Sequence, residues 1–177
     1  MTVRELRYFG DPVLKTPCDP IVRIDRSAES LVADLLDTVD QPGRAGLAAP
    51  QIGVSLRAFS YNVDGEIGYV LNPELVEVSA DTHEITEGCL SVPELWFPVE
   101  RAKHAVVRGV DLRNQPVVVD GKGVLAQCLQ HETDHLNGML YLDRLTSERR
   151  KSALRESRQR SWFSEALTRA TQTRPWW

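Results

Sequence analysis

At positions 129–138 the chain reads Leu129-Gln130-His131-Glu132-Thr133-Asp134-His135-Leu136-Asn137-Gly138, which contains the pattern H-E-x-x-H. Residues four positions apart lie on one face of an α-helix, so His131 and His135 can point at the same metal ion. Glu132, one step around that helix, can hold a water at the ion without ligating it. Apolar residues recur at helical spacing in and before this stretch, and Gly138 is a typical helix stop. The stretch therefore predicts a metal-binding helix.

The pattern is short, and a buried helix with two ordinary histidines also fits it. A catalytic metal usually has three protein ligands and one open position, and the two histidines supply only two of these ligands. Upstream, Cys89 in the segment Glu87-Gly88-Cys89-Leu90-Ser91 is the more pointed candidate for the third ligand. No histidine follows His135, but the downstream carboxylates keep the choice open: Asp143, Glu148, Glu156 and Glu165.

The composition is that of an ordinary soluble globular protein. The chain has 177 residues, 42% hydrophobic and 26% charged, and a formal net charge of −4, which argues against a general nucleic-acid binder. Its three cysteines do not make a disulfide framework, and neither a signal-peptide core nor a run of roughly 18 apolar residues is evident. We expect a single domain over residues 1–177, located in the cytoplasm, with no membrane partner and no specific nucleic acid.

The remaining pattern predicts an α+β protein. A helix over about residues 28–40 has an apolar face, and Ser27 is its predicted N-cap. From about residue 56 to 120 the chain reads mainly as short strands without interleaved helices. We expect antiparallel or mixed β-sheets surrounding the central metal-binding helix, with further helices near the N-terminus and the C-terminus.

Two turns are expected within the strand region, at Asn72-Pro73 and at Asp120-Gly121. His83 and His104 fall in or beside these strands, and we interpret both as surface or packing residues rather than ligands.

The C-terminal part predicts one last helix over about residues 148–170, capped by Ser147 and followed by a tail over 171–177 without a firm role. Its polar positions hold seven basic and three acidic side chains, a surplus of four positive charges. A solvated helix face is one interpretation, and a docking surface for a polyanion is the other. The basic residues are Arg149, Arg150, Lys151, Arg155, Arg158, Arg160 and Arg169.

Three segments together resemble the three motifs of the peptide deformylase family. They are Gly46-Leu47-Ala48-Ala49-Pro50-Gln51, Glu87-Gly88-Cys89-Leu90-Ser91 and Gln130-His131-Glu132-Thr133-Asp134-His135. Their order and separations also match, and Tyr8-Phe9-Gly10-Asp11-Pro12-Val13-Leu14 looks like the start of that family. The resemblance covers most of residues 4–145. Cys89 combined with two helix histidines separates this pattern from that of zinc peptidases.

This resemblance implies an enzyme that removes the N-formyl group from the initiator methionine of new bacterial polypeptides and releases formate. It implies one Fe²⁺ per chain, replaceable by Ni²⁺, Co²⁺ or, less actively, Zn²⁺, and held by Cys89, His131 and His135. Glu132 would be the general base and later the proton donor to the leaving amine. The Leu90 N–H and the Gln51 side-chain amide would stabilise the oxyanion.

The resemblance also implies a peptide bound as an added strand, with Gly46 on one side of it and Gly88 on the other, and with Arg101 near its path. Three residues are candidates for orienting the metal ligands: Glu87, Gln130 and Asp134. The walls expected for a methionine pocket are Ala45, Ile85, Val124 and Cys128.

The sequence departs from the family's pattern at two positions. Arg44 stands where a glycine usually opens the first motif, and Gln127 stands where an apolar pocket residue is common. Both changes bear on peptide affinity rather than on the reaction. Two other functions stay open: a zinc endopeptidase, which needs no role for Cys89 or Gln51, and a binding module that docks through its basic C-terminal helix on a polyanion such as the ribosome.

Overall fold

The computed structural model describes residues 3–172, and the last part of the predicted tail, residues 173–177, lies outside the described residues. Within that range the chain forms four α-helices and seven strands. In chain order they are α1 (Arg26–Val39), β1 (Gly46–Ala48), β2 (Ala58–Val63), β3 (Glu66–Val78), β4 (Thr82–Cys89), β5 (Val92–Ala102), β6 (His104–Val110), β7 (Pro116–Lys122), α2 (Val124–Leu136), α3 (Ser147–Ser157) and α4 (Ser161–Gln172).

The strands form two antiparallel sheets around α2. Five strands pair in the order β1-β2-β3-β6-β7, and β4 pairs with β5 in a separate two-stranded sheet. Residues 128–136 of α2 are all buried, because the helix lies between the sheets and contacts strands of both. Its Ala126, Leu129 and Leu136 join one core cluster with Phe59 and Val107. The predicted α+β architecture with a central helix is confirmed.

Helix α1 begins two residues earlier than predicted, because its N-cap is Asp25 and not Ser27. The Asp25 carboxylate accepts a hydrogen bond from the Ser27 backbone N–H at 2.9 Å, so Ser27 lies inside the first turn. The predicted apolar face is correct and is buried in the core. Its fully or largely buried members are Leu31, Val32, Leu35 and Val39.

Both predicted turns in the strand region are wrong. Strand β3 runs through Asn72-Pro73, where a register shift relative to β6 marks a bulge. Asn72 is held there by two hydrogen bonds with the backbone of Ile21, so its side chain joins two segments instead of reversing the chain. Asp120 and Gly121 pair with Val106 and Ala105, so they lie within β7.

The predicted C-terminal helix is two helices, because the chain breaks at residues 158–160. Thr146, not Ser147, caps α3 by accepting a hydrogen bond from the Arg149 N–H. The break lets α4 pack its aromatic residues on the N-terminal segment, with Trp162 beside Tyr8 and Phe163 beside Phe9. No helix among the described residues is long and apolar enough to cross a membrane.

Candidate active site

Three potential metal donors converge between α2 and the end of β4. The Nε2 atom of His135 lies 3.2 Å from both the Cys89 Sγ and the His131 Nε2. All three donor atoms lie within 4.8 Å of one another. Two imidazole nitrogens and a thiol that face one point form the kind of donor set that binds a transition metal. Helical spacing alone therefore does bring His131 and His135 together, as predicted.

Cys89 reaches this point because the β4–β5 ladder is irregular at its end. Glu87 pairs with Phe97, whereas Cys89 pairs with Val92, so the register shifts between them. The Cys89 Sγ then accepts a hydrogen bond from the Ser91 N–H at 3.4 Å. A shift of this kind can re-aim a side chain, and here the thiol faces the two histidines.

Glu87 fixes the orientation of His131. Its Oε1 lies 2.6 Å from the His131 Nδ1, which leaves the Nε2 atom to face the other donors. Arg101 donates two hydrogen bonds to the same carboxylate, at 2.9 and 2.7 Å. Burial disfavours ionised Glu87, but the hydrogen bonds from Arg101 and His131 outweigh it and hold its pKa well below the usual range. The residue therefore acts as a fixed anion behind His131.

The structure does not place Arg101 along a peptide path. Only 4% of this residue is exposed, and its guanidinium is shared between Glu87 and Asp134, with 2.7 Å to the Asp134 Oδ2. Arg144 also binds Asp134, donating from its Nε to the same Oδ2 and from its Nη2 to Oδ1. The predicted role in substrate contact is thus replaced by a structural one. The Gln130 side chain likewise forms its hydrogen bonds with the backbone of Ala102 and Ala126.

Glu132 differs from these paired groups. It is 3% exposed, and its Oε2 has no hydrogen-bond partner among the described residues. Burial raises its pKa to about 7, with further contributions from neighbouring charges. The Nδ1 atom of His135 also lacks a partner among these residues. A Cβ at Gly46 would collide with the Glu132 carboxylate, so only glycine allows β1 to pass so close.

The Gln51 side chain is held in one orientation beside Cys89. Its Oε1 accepts a hydrogen bond from the Ala48 N–H at 2.8 Å, so its amide group points the other way. That NH₂ group lies 3.2 Å from the Ser91 Oγ and 3.7 Å from the Cys89 Sγ. Leu90 follows Cys89 directly in the chain and lines the same cavity.

A cavity of about 480 Å³ opens over these residues. Gly46, Gly88 and three of the four predicted pocket walls line it, whereas Ile85 is absent from its described lining. Arg44 lies at the cavity, but its guanidinium turns back to the Thr38 carbonyl of α1 at 2.6 Å. The Gln127 Nε2 lies 3.3 Å from the Glu87 Oε2.

Sequence reasoning missed several lining residues, among them Leu6, Tyr8 and Trp96. Leu6 and Tyr8 come from the N-terminal segment and Trp96 from β5. They are distant in sequence from the helix histidines, and no spacing rule connects them. The exposure of Trp96 sets it apart from a core residue, but this exposure is visible only in the structure.

The fold and the site together define a class of α+β proteins that carry an H-E-x-x-H helix and a cysteine in one buried donor cluster. Within that class, this chain belongs to the polypeptide deformylase family, whose model matches residues 3–151.

Individual relatives agree with the family match. A peptide deformylase of Acidothermus cellulolyticus is 46% identical over 175 residues, which cover 99% of this chain and 97% of that protein. The crystal structure of a peptide deformylase from Legionella pneumophila has a TM-score of 0.83 at 36% identity, covering 98% of this chain and 100% of that one. The peptide deformylase from Thermus thermophilus has a TM-score of 0.84 at 34% identity, with 95% and 99% covered. The predicted resemblance is confirmed, and the zinc endopeptidase is set aside.

Proposed function

We propose that this chain hydrolyses the N-formyl group of formyl-methionyl polypeptides, releasing formate and a methionyl peptide. One observation carries the proposal: three donor atoms converge beside a buried, unpartnered carboxylate at the floor of an open cavity. The name shared by its relatives, peptide deformylase, supports the same reaction. Newly made polypeptides are the proposed substrates, and the cytoplasm is the proposed location.

Cys89, His131 and His135 are the proposed ligands of one Fe²⁺, with Ni²⁺, Co²⁺ or Zn²⁺ as replacements. The donor set supports a cation here, because a thiol sulfur and two imidazole nitrogens converge within 4.8 Å of one another. The buried Glu132 Oε2, which has no hydrogen-bond partner among the described residues, also points to a missing polar partner. When bound, such a cation supplies Lewis-acid activation of water and of the formyl oxygen.

Glu132 is the proposed general base. Glu132 lines the same cavity as Cys89 and His131, and its Oε2 makes no hydrogen bond with the described residues that would have to break before it accepts a proton from the attacking water. In the metal-free protein, burial raises the pKa of this carboxyl group to about 7, and a carboxyl group with a raised pKa can accept that proton and then give it to the leaving amine. A base of this kind typically contributes about 10²–10⁴-fold to the rate.

Gln51 and Leu90 are the proposed oxyanion donors. Because the Ala48 N–H fixes the Gln51 carbonyl, the Gln51 NH₂ group is presented to the cluster with little freedom. The Leu90 backbone follows Cys89 and is carried by the same irregular strand end. One such preorganised donor typically contributes roughly 3–4 kcal/mol in the transition state.

The proposed peptide site is the free edge of β1. That strand is the outer strand of the five-stranded sheet, so the backbone of Gly46 can pair with an extended peptide. Gly88 would pair from the other side, and the methionine side chain would enter the apolar part of the cavity around Val124 and Cys128. Arg101 acts through Glu87 in this scheme and does not touch the peptide.

Docking on the ribosome through the C-terminal segment has less support. Four of its seven basic residues form ion pairs within the chain: Arg149 with Glu84, Arg150 with Asp143, Arg160 with Glu94 and Arg169 with Glu5. Reversing the charges of Lys151, Arg155 and Arg158 tests what remains of the hypothesis. Unchanged co-sedimentation of this variant with ribosomes would reject docking through these residues.

Formate release from a formyl-methionyl tripeptide by anaerobically prepared, Fe²⁺-loaded protein tests the proposed reaction. We expect rapid release that stops in a chelated sample. Cys89→Ser should lose most bound metal and most activity, with the fold intact by circular dichroism. No release from protein with a measured equivalent of metal would reject the reaction, and full metal content in Cys89→Ser would remove Cys89 from the ligand set.

A further inference from the structure

Trp96 is the exposed tryptophan of the cavity. Its side chain lies in the cavity lining and the residue is 65% exposed, whereas Trp162, on α4, is 7% exposed and belongs to the core. The cavity lining around it includes Leu6 and Tyr8, which are also absent from the scheme proposed above. A large apolar ring left open to solvent inside a binding cavity is characteristic of a contact surface for a ligand.

The irregular ladder that aims Cys89 also places this indole. Between the pairs Glu87–Phe97 and Cys89–Val92, one residue of β4 opposes four residues of β5. The single residue is Gly88, and the four are residues 93–96. The indole lies directly on Gly88, since a Cβ there would come within 2.7 Å of three ring atoms. The ring thus lies on the residue that directly precedes Cys89, a proposed metal ligand.

The segment before Trp96 is held firmly. Glu94 has a φ of 65°, which is uncommon for a residue other than glycine, and its carboxylate binds Arg160 at 2.9 Å. Leu95 is 3% exposed, and its carbonyl accepts a hydrogen bond from the Tyr141 hydroxyl at 2.8 Å. These contacts present the indole on a fixed backbone, so little conformational entropy is lost when a ligand packs on it.

We propose that Trp96 is a specificity-determining residue that packs against an apolar or aromatic side chain downstream of the first methionine. The inference rests on the proposed function and deepens it. An extended peptide advances about 3.3 Å per residue, so a side chain at its second or third position reaches the neighbourhood of Gly88 and the indole.

The test compares two peptide series on the Fe²⁺-loaded protein. One is formyl-Met-X-Ala and the other formyl-Met-Ala-X, where X is Phe, Leu or Ala, and the measured quantity is the ratio of kcat/KM for Phe to that for Ala. We expect a preference of roughly three- to tenfold for Phe in one series, which identifies the position. Trp96→Ala should reduce that ratio to about one, and Trp96→Phe should restore most of it.

Val118→Ala is the matched control, because Val118 is 58% exposed on β7 and is not among the cavity-lining residues. The ratio of kcat/KM for the Phe peptide to that for the Ala peptide should be the same in Val118→Ala as in the wild type. Thermal unfolding of each variant checks the fold. An equal loss of kcat/KM for all peptides in Trp96→Ala, or an unchanged ratio, would overturn the proposal.

Calorimetry with the deformylated peptides Met-Phe-Ala, Met-Ala-Phe and Met-Ala-Ala separates the two proposals. If no formate is released but the wild type binds the Phe peptides more tightly and Trp96→Ala does not, the proposed reaction fails and the proposed role of Trp96 is upheld. Rapid formate release without any preference for Phe in either series would overturn this inference alone.

Discussion

Helix α2 carries two buried polar clusters that differ in how completely their atoms are paired. On one side, Arg101 binds both Glu87 and Asp134 through short hydrogen bonds. On the other side, Glu132 and His135 each keep a buried atom without a partner among the described residues. Buried polar groups in proteins are nearly always paired. The paired cluster is therefore part of the framework, and the unpaired Oε2 of Glu132, a residue that lines the cavity, indicates where an external ligand completes the site.

Glu132→Gln should give the largest effect and act on function alone. The amide keeps the shape of the side chain but cannot accept a proton, so we expect kcat to fall about 10²–10⁴-fold. Metal content and thermal stability of the metal-loaded protein should stay at the wild-type level. Formate release and metal analysis on the same sample measure activity and occupancy. Activity near that of the wild type in the metal-loaded variant would remove Glu132 from the mechanism.

Arg101→Ala should act on stability, because it removes a buried guanidinium from the carboxylates of Glu87 and Asp134. Asp134 keeps its ion pair with Arg144, but Glu87 loses its arginine. Breaking a buried ion pair in this way typically costs about 3–5 kcal/mol. Urea unfolding of the metal-free protein, monitored by circular dichroism, gives the free energy of unfolding. A loss below about 1 kcal/mol, the range of an exposed pair, would contradict the assignment of Arg101 to the framework.

The pH dependence of stability should differ between the metal-free wild type and Glu132→Gln. The pKa of Glu132 rises from 4.5 to about 7 on folding, so the folded state binds the proton more tightly than the unfolded chain. Below pH 4.5 the Glu132 carboxyl group is protonated in both the folded and the unfolded state. The difference in the free energy of unfolding between wild type and variant therefore does not change with pH there. Between pH 4.5 and 7 the wild type should lose about 3 kcal/mol relative to the variant, and the difference should then stay constant.

Urea unfolding of both proteins at several pH values measures this difference. Other titrating groups cancel because they are common to the two chains. A difference that changes in the opposite direction, or that is flat across the window, would show that the Glu132 pKa is not raised in the metal-free protein.

The smallest effect is expected for an exposed ion pair. Arg149 binds Glu84 at 2.6 Å, but both side chains are more than a third exposed. Arg149→Ala should therefore cost about 0.2–1 kcal/mol, and less in high salt. It serves as the control for Arg101→Ala, since both remove one arginine from a carboxylate. A loss as large as that of Arg101→Ala would mean that burial does not explain the difference between the pairs.

The part of the site that could be predicted from sequence is the part that is local. His131, Glu132 and His135 lie on one helical turn, so their spacing fixes their relation. Cys89 could be singled out as a candidate, but its place in the cluster followed only from the family resemblance, because its approach depends on a register shift between β4 and β5. Apolar periodicity was enough to predict α1 and the α+β class.

The wrong predictions share a physical cause, which is that long-range contacts override local signals. Arg101 was assigned to the substrate from the family resemblance, and its long-range ion pairs with Glu87 and Asp134 hold it in the framework instead. Asn72-Pro73 resembles a turn but bonds to Ile21. The break between α3 and α4 contains neither glycine nor proline, and it coincides with the pairing of Arg160 and the aromatic packing of α4.

The shortness of β1 has a consequence for association between molecules. An open sheet edge is a template for pairing with any other strand, including one from a second copy of the same protein. Here the edge strand is three residues long and lies in a recess that ends at the buried Cys89–His131–His135 cluster. So short an edge offers few backbone groups to a folded neighbour, whereas the free end of an extended chain can enter the recess. The same geometry that admits a polypeptide terminus thus protects this edge of the sheet from pairing with a folded neighbour.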